Sequence, residues 1–127
     1  MGIASYRELL AWKQAMELAK CCYRLTGNFP KSEMYGLTSQ IRRSAASIPA
    51  NIAEGYGRET TGAYIQFLRT SQGSLKELET HLLRSSRTHI VEQDLVEPLL
   101  IQAESVGKLL RLLIRSLQEK QRNQEQE

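Results

Sequence analysis

A chain of 127 residues is long enough for one hydrophobic core and too short for two ordinary domains. Its aromatic content of 6%, its three prolines and its many Leu, Ala, Glu, Lys, Arg and Gln residues favour a helical protein and argue against a sheet. The formal net charge of +3 is too small to indicate a polyanion ligand, so any such attraction must come from local arrangement.

The cysteine usage and the hydropathy pattern bear on location. Cys21 and Cys22 are neighbours, which on a helix point in different directions and cannot bridge to each other. This favours a reduced, cytoplasmic protein. The start of the chain lacks a secretory signal pattern, and no apolar run is long enough to span a membrane.

Apolar residues with helical spacing predict the first two helices. The first, from about Ser5 to Thr26, places on one face Leu9, Trp12, Met16, Ala19 and Tyr23. The second begins near Ser32 as N-cap and is stopped by Gly55 and Gly57. Its apolar face consists of Leu37, Ile41, Ala45, Ile48 and Ile52.

The remaining two helices carry longer apolar seams. The third starts with Thr60 or Thr61 as cap, reaches about Thr88, and repeats at Tyr64, Leu68, Ser71, Leu75, Leu78, Leu82 and Ser85. The fourth repeats at Val96, Leu99, Ala103, Val106, Leu110, Leu113 and Leu117. Pro98 is either its first residue or a first-turn proline behind Asp94.

Four such helices with short connections predict an all-α fold, an antiparallel up-down-up-down four-helix bundle. Residues 1–120 then form a single domain. Residues 121–127 contain no apolar side chain and are expected to be a disordered polar tail.

The first two helices also have a second face that the predicted core does not use. On the first helix it comprises Ala11, Leu18, Cys22 and Leu25, and on the second it comprises Ala46, Ala50 and Ala53. Alanine is also the best helix former and needs no partner. Because large apolar side chains are rarely left exposed without reason, we expect these residues to form a homo-oligomer interface. If two different faces of neighbouring copies meet head to tail, the assembly closes into a ring or continues as a filament.

Pro49 stands in the interior of the second helix, within the segment SQIRRSAASIPANIAEG. A proline there lacks an amide donor and frees the Ala45 carbonyl, which predicts a bend. The polar residues of one shoulder, Gln40, Ser47, Asn51 and Glu54, could bond the displaced backbone or a neighbouring chain.

The sequence predicts neither a catalytic site nor a metal or cofactor site. His81 and Glu77 stand one helical turn apart, but no second histidine shares that face. His89 falls in a predicted loop, and no nucleophile-elbow or phosphate-loop motif occurs. A seam of Leu, Ile, Ala and Val offers no pocket for positioned groups, so we expect the protein not to be an enzyme.

Basic residues form rows on the outer faces of two helices. Arg69, Lys76 and Arg87 share an edge of the third helix, and Lys108, Arg111 and Arg115 share an edge of the fourth. Arg42 and Arg43 flank the small face of the second. These rows could contact the phosphates of RNA or DNA. Acidic residues precede the row on the fourth helix, so the helix dipole alone would also explain that order.

Three segments carry a resemblance to a known family: YGLTSQIRRSAASIPANIAEGYGR, FLRTSQGSLKELETHLLRS and VGKLLRLLIRSL. They resemble the bacterial four-helix-bundle proteins encoded in 23S rRNA intervening sequences, over about Tyr6 to Leu117. The resemblance implies a cytoplasmic bundle that assembles as a ring-shaped homopentamer and has no established enzymatic activity. Distant bundle relatives are accessory proteins of diversity-generating retroelements, which bind nucleic acid and a reverse transcriptase.

Two functions follow as hypotheses. The first is a non-catalytic oligomeric accessory protein whose basic surface binds RNA or DNA with little sequence preference, beside a nucleic-acid-processing protein partner. A ring would repeat each weak patch and so multiply its effect. The second is a structural or protein-binding scaffold that binds no nucleic acid.

Overall fold

Four helices account for most of the chain in the structure, which is a computed structural model describing residues 4–126. They are α1 (Leu10–Thr26), α2 (Leu37–Tyr56), α3 (Thr61–Arg87) and α4 (Gln93–Glu125). No strand occurs within residues 4–126. The predicted all-α class and the predicted number of helices are therefore confirmed.

The first two helices begin later than the sequence predicts, because a 3-10 turn precedes each of them. The turn before α1 spans Tyr6–Glu8, and the Ser5 hydroxyl caps it by accepting from the Arg7 amide at 3.1 Å. The turn before α2 spans Lys31–Glu33. There the Glu33 carboxylate, rather than Ser32, accepts from the first amide of the helix, that of Leu37, at 3.2 Å.

The start of α3 follows its predicted cap. The Thr60 side chain accepts from the Ala63 amide at 3.1 Å, which pairs one of the free amides of the first turn. The connection to α4 contains His89 with φ of 63°, a left-handed conformation that an ordinary residue adopts only at a cost. This places His89 in a loop, as predicted.

The ends of α4 correct two predictions. The helix begins at Gln93, so Pro98 lies in its second turn rather than in its first, and the missing amide leaves the Asp94 carbonyl without its helical partner. The helix also continues to Glu125, beyond the predicted end of the folded domain at residue 120, so residues 121–125 are helical; their disorder stays a prediction. Glu, Lys, Gln and Arg are good helix formers, which explains why the helix outlasts its apolar seam.

The helices surround one core, with α1 and α3 each packed against both α2 and α4. The Ser71 hydroxyl of α3 donates to the Ile48 carbonyl of α2 at 2.9 Å. At the other side of the bundle, the Ser105 hydroxyl of α4 donates to Gln14 of α1 at 2.8 Å. The largest side chains with no exposed surface include Leu18, Ile41, Ile48, Ile52, Leu68, Leu78, Leu82 and Leu110.

The face of α1 that enters this core is the one predicted to be an oligomer interface. Ala11, Leu18 and Cys22 are buried inside the chain itself, and Leu25 packs against the same core. The assignment of the three buried residues to an interface is therefore wrong, and that of Leu25 stays a prediction. Of the predicted core face, Met16 and Tyr23 are exposed, Tyr23 to 62%, whereas the other three residues pack half-buried against the edge of the core.

The reason lies in the shapes of the two faces. Small side chains such as Ala11 and Cys22 let α2 and α4 approach α1 closely, so that Leu18 is completely enclosed. Met16 and Tyr23 are larger, and side chains of this kind tolerate partial exposure. Both stripes have helical spacing, so spacing alone did not distinguish them.

Pro49 lies inside α2, buried, with polar side chains close to it. The Asn51 amide donates to the Ser47 carbonyl at 2.8 Å, and the hydroxyls of Ser47 and Ser74 are 2.8 Å apart. Two residues of the polar shoulder of α2 thus bond to backbone and to α3 within the chain. The bend at Pro49 stays a prediction.

Candidate nucleic-acid interface and assembly surface

The predicted basic row on α4 and two of the three residues of the row on α3 border the same groove, between these helices. Arg69 and Lys76 each follow a buried leucine of α3 by one position, so both are exposed on the same shoulder of that helix. A Cβ on Gly107 of α4 would lie 3.2 Å from Cδ2 of Leu75, which shows where the two helices meet. Lys108 follows Gly107 directly and is exposed.

We call this surface the α3/α4 groove and define it by its exposed basic residues, Arg69, Lys76, Lys108, Arg111 and Arg115. Two acidic residues belong to it. Glu79 pairs with Lys76, with Nζ 2.9 Å from Oε1, and Glu104 stands one turn before Lys108. Five positive groups against two negative ones leave the groove basic, although the whole chain carries only +3.

Arg87 lies at the other end of the α3/α4 contact. It lines a depression of about 290 Å³ together with Glu97 at the beginning of α4. An acidic side chain beside Arg87 reduces the local positive potential. Of the predicted row on α3, Arg69 and Lys76 therefore share the basic groove, and Arg87 does not.

Arg42 and Arg43 lie across the molecule, on α2. The Arg42 guanidinium stacks over the Tyr23 ring at 3.8 Å, and its Nε donates to the Thr26 hydroxyl at 2.8 Å. Its Nη2 also donates to the Tyr23 carbonyl at 3.3 Å, so this cation stabilises the negative end of the α1 dipole. Arg43 is exposed. Neither residue joins the α3/α4 groove.

A second surface runs between α1 and α2 and combines apolar with small side chains. Met16, 45% exposed, and Tyr23 protrude from α1. Ala46 and Ala50 of α2 are exposed and Ala53 is half-buried, as their predicted role in assembly requires. The contact between Arg42 and Tyr23 brings these two stripes side by side. We call this surface the α1/α2 groove; its role in assembly stays a prediction.

The titratable groups of the interior have local explanations. His81 is 8% exposed, with Nε2 3.5 Å from a Glu77 carboxylate oxygen and Nδ1 3.1 Å from the Arg84 guanidinium. Burial raises the pKa of the Cys22 thiol to about 12, with a smaller contribution from Cys21. A thiol with so high a pKa forms little of the reactive thiolate at neutral pH.

Burial also raises the pKa of Tyr64 to about 12, with Tyr56 contributing less. Tyr64 and Trp12 are half-buried against the core, close to their predicted positions, whereas Tyr23 is not a core residue. Within residues 4–126, no three His, Cys, Asp or Glu side chains are grouped as metal ligands. In that same part of the chain, every helix is too short or too polar to cross a membrane.

Sequence reasoning missed two exposed apolar features. The outer stripe of α1 was assigned to the core, and Ile101 of α4, 66% exposed, was not considered. Ile101 lies outside the regular seam of Leu99, Ala103 and Val106. That departure from the seam was the available signal.

Comparison with known proteins gives a family and a fold. A family model described as 23S rRNA-intervening sequence protein matches residues 7–112. A crystal structure of a protein of unknown function from the S23 ribosomal protein family of Bacteroides thetaiotaomicron superposes with a TM-score of 0.77. The two sequences are 24% identical, and the match covers 83% of this chain and 98% of that one. No curated protein matches.

Proposed function

The chain belongs to the 23S rRNA-intervening sequence protein family, and from this premise we propose that it is a non-catalytic accessory protein that binds RNA or DNA through the α3/α4 groove. The observation that carries the proposal is the convergence of two basic rows, from α3 and α4, on one groove. Phosphate contacts of this kind are insensitive to sequence and strongly dependent on salt.

The quaternary part of the proposal is a cytoplasmic, antiparallel up-down-up-down bundle that assembles into a ring-shaped homo-oligomer. The pentameric number rests on the family resemblance alone. The Ser47–Ser74 contact and the closeness of Gly55 to Phe67 support an antiparallel α2 and α3, because one residue number rises as its partner's falls. The exposed apolar residues of the α1/α2 groove support assembly.

Filter binding of a structured RNA across a salt series tests the nucleic-acid part. We expect the logarithm of affinity to fall linearly with the logarithm of salt concentration. Replacing Lys108 and Arg111 by alanine should reduce that slope by about 0.7 to 0.9 for each phosphate that the variant no longer neutralises. Lys31→Ala, in the exposed turn before α2, is the matched control and should leave the slope unchanged.

Three results would contradict RNA binding through the α3/α4 groove: no binding at low salt, an affinity that does not depend on salt, or an equal reduction of the salt slope in the Lys31 control.

The second candidate function is a scaffold that binds another protein and no nucleic acid. The surface depression of about 270 Å³ that Ile101 lines together with Gln14 and Glu17 of α1 favours it, because an apolar side chain in such a depression offers a place for a side chain of a partner protein. Absence of RNA binding with an intact assembly would support this candidate.

A further inference from the structure

The N-terminal half of α4 is an acidic ridge with an apolar centre. Ile101 points away from the core, since Val96, Ala103 and Leu110 occupy the opposite side of the helix. No Lys or Arg occurs between Glu92 and Gly107. The exposed acids Asp94, Glu97 and Glu104 stand seven and four residues before Ile101 and three after it, so all lie near its face. We call these four residues the α4 ridge.

The α1/α2 groove has the complementary character. Along its α1 edge it forms a shallow depression of about 650 Å³, lined by apolar Met16, Ala19 and Tyr23 and by the cations Lys13, Lys20 and Arg24. The one acid there, Glu17, is paired with Lys20, with Nζ 2.8 Å from Oε2. Arg43 is exposed on the α2 side. Ala46 and Ala50, also on the α2 side, are exposed and carry little side-chain bulk.

We propose that the α4 ridge of one copy docks in the α1/α2 groove of the next copy. This inference rests on the assembly part of the proposed function and names the two surfaces that would meet. Ile101 enters between Met16 and the α2 alanines, while Glu97 and Glu104 lie against Lys13 and Lys20. The occupant is a second copy because one chain carries both halves of the match, an acidic surface with an apolar centre and a basic surface with an apolar lining.

The positions of the two surfaces make the contact head-to-tail. α4 packs against α1 and α3 and not against α2, so α1 stands between Ile101 and the alanines of α2 and one chain cannot fill its own groove. Each copy therefore offers an unused ridge and an unused groove after its first contact. Repetition of one such contact closes into a ring or continues as a filament.

Charge reversal tests the pairing, with multi-angle light scattering as the readout. Glu97→Lys with Glu104→Lys gives a chain in which ridge and groove are both basic, and Lys13→Glu with Lys20→Glu gives one in which both are acidic. Each variant should fall to the 14.5 kDa of a single chain. A chain that carries all four changes restores opposite signs and should recover the wild-type mass. All four positions are exposed, so each variant should stay folded, and circular dichroism checks this.

Each of the other outcomes of this experiment overturns one part of the proposal. A wild-type chain of single-copy mass overturns the assembly in the proposed function and this contact with it. A wild-type assembly whose charge-reversed variants keep their mass overturns only the contact. Loss of mass without recovery in the fourfold variant shows that the two surfaces do not pair with each other. A wild-type mass of two copies overturns the head-to-tail arrangement in favour of a two-fold one.

Discussion

Leu18 is the residue at which the two faces of α1 can be told apart by stability. It has 0% exposure, whereas Leu10, on the same helix, is 55% exposed. We expect Leu18→Ala to lower the free energy of unfolding by about 2 to 5 kcal/mol, because it leaves a cavity as well as losing burial. Leu10→Ala should cost less than about 0.5 kcal/mol, as surface substitutions do.

Urea unfolding of both variants at one protein concentration measures the difference as a shift in midpoint at constant slope. Equal losses at the two leucines would contradict the core assignment. The sequence predicted that α1 has two apolar stripes but placed the fully buried one at an interface and the partly exposed one in the core. Helical spacing fitted both stripes, and the close approach that Cys22 permits becomes visible only when α2 and α4 are present.

Gly55 and Gly73 test how closely α2 and α3 pack. A Cβ on Gly55 would lie 2.8 Å from Cβ of Phe67, whereas one on Gly73 of α3 would meet nothing within 4 Å. Gly55→Ala should therefore destabilise by about 1 to 3 kcal/mol through overpacking. Gly73→Ala should stabilise by about 0.5 to 1 kcal/mol, because alanine loses less backbone entropy in a helix. Thermal unfolding reports both, and shifts of the same sign would contradict this account of the packing.

At the level of helices, periodicity predicted what the apolar seams determine and missed what backbone details determine. The seams predicted all four helices, and Thr60 was one of two predicted caps for α3. The 3-10 turns before α1 and α2 have no apolar period, so their helices were placed too early. The polar end of α4 also lacks an apolar period, so the seam, which stops at Leu117, did not predict that the helix extends to Glu125.

For the whole molecule, charge is separated between surfaces that the linear sequence does not reveal. The α3/α4 groove gathers five cations from two helices, while the α4 ridge next to it carries three acids around Ile101 and no cation; Glu104 belongs to both. Composition gives only the sum, +3. The basic rows were predictable from spacing on single helices, but their convergence depends on the packing of Leu75 against Gly107. The α1/α2 groove depends in the same way on Arg42 and Tyr23.

Assembly and nucleic-acid binding should be separable by mutation, although assembly should strengthen binding because it links several grooves. Ile101→Asp places a third acid beside Glu97 and Glu104 and removes the apolar centre of the ridge, so it should yield single copies with an intact α3/α4 groove. Linked sites raise overall affinity by about 10² to 10⁴ over one site. We therefore expect this variant to bind RNA at least about 10²-fold more weakly.

The Lys108 and Arg111 double variant should keep the assembled mass. It should bind RNA more weakly only because its groove has lost two cations. Light scattering and filter binding on the same samples measure both quantities. A single-copy variant that binds RNA as tightly as the assembly would mean that each groove acts alone.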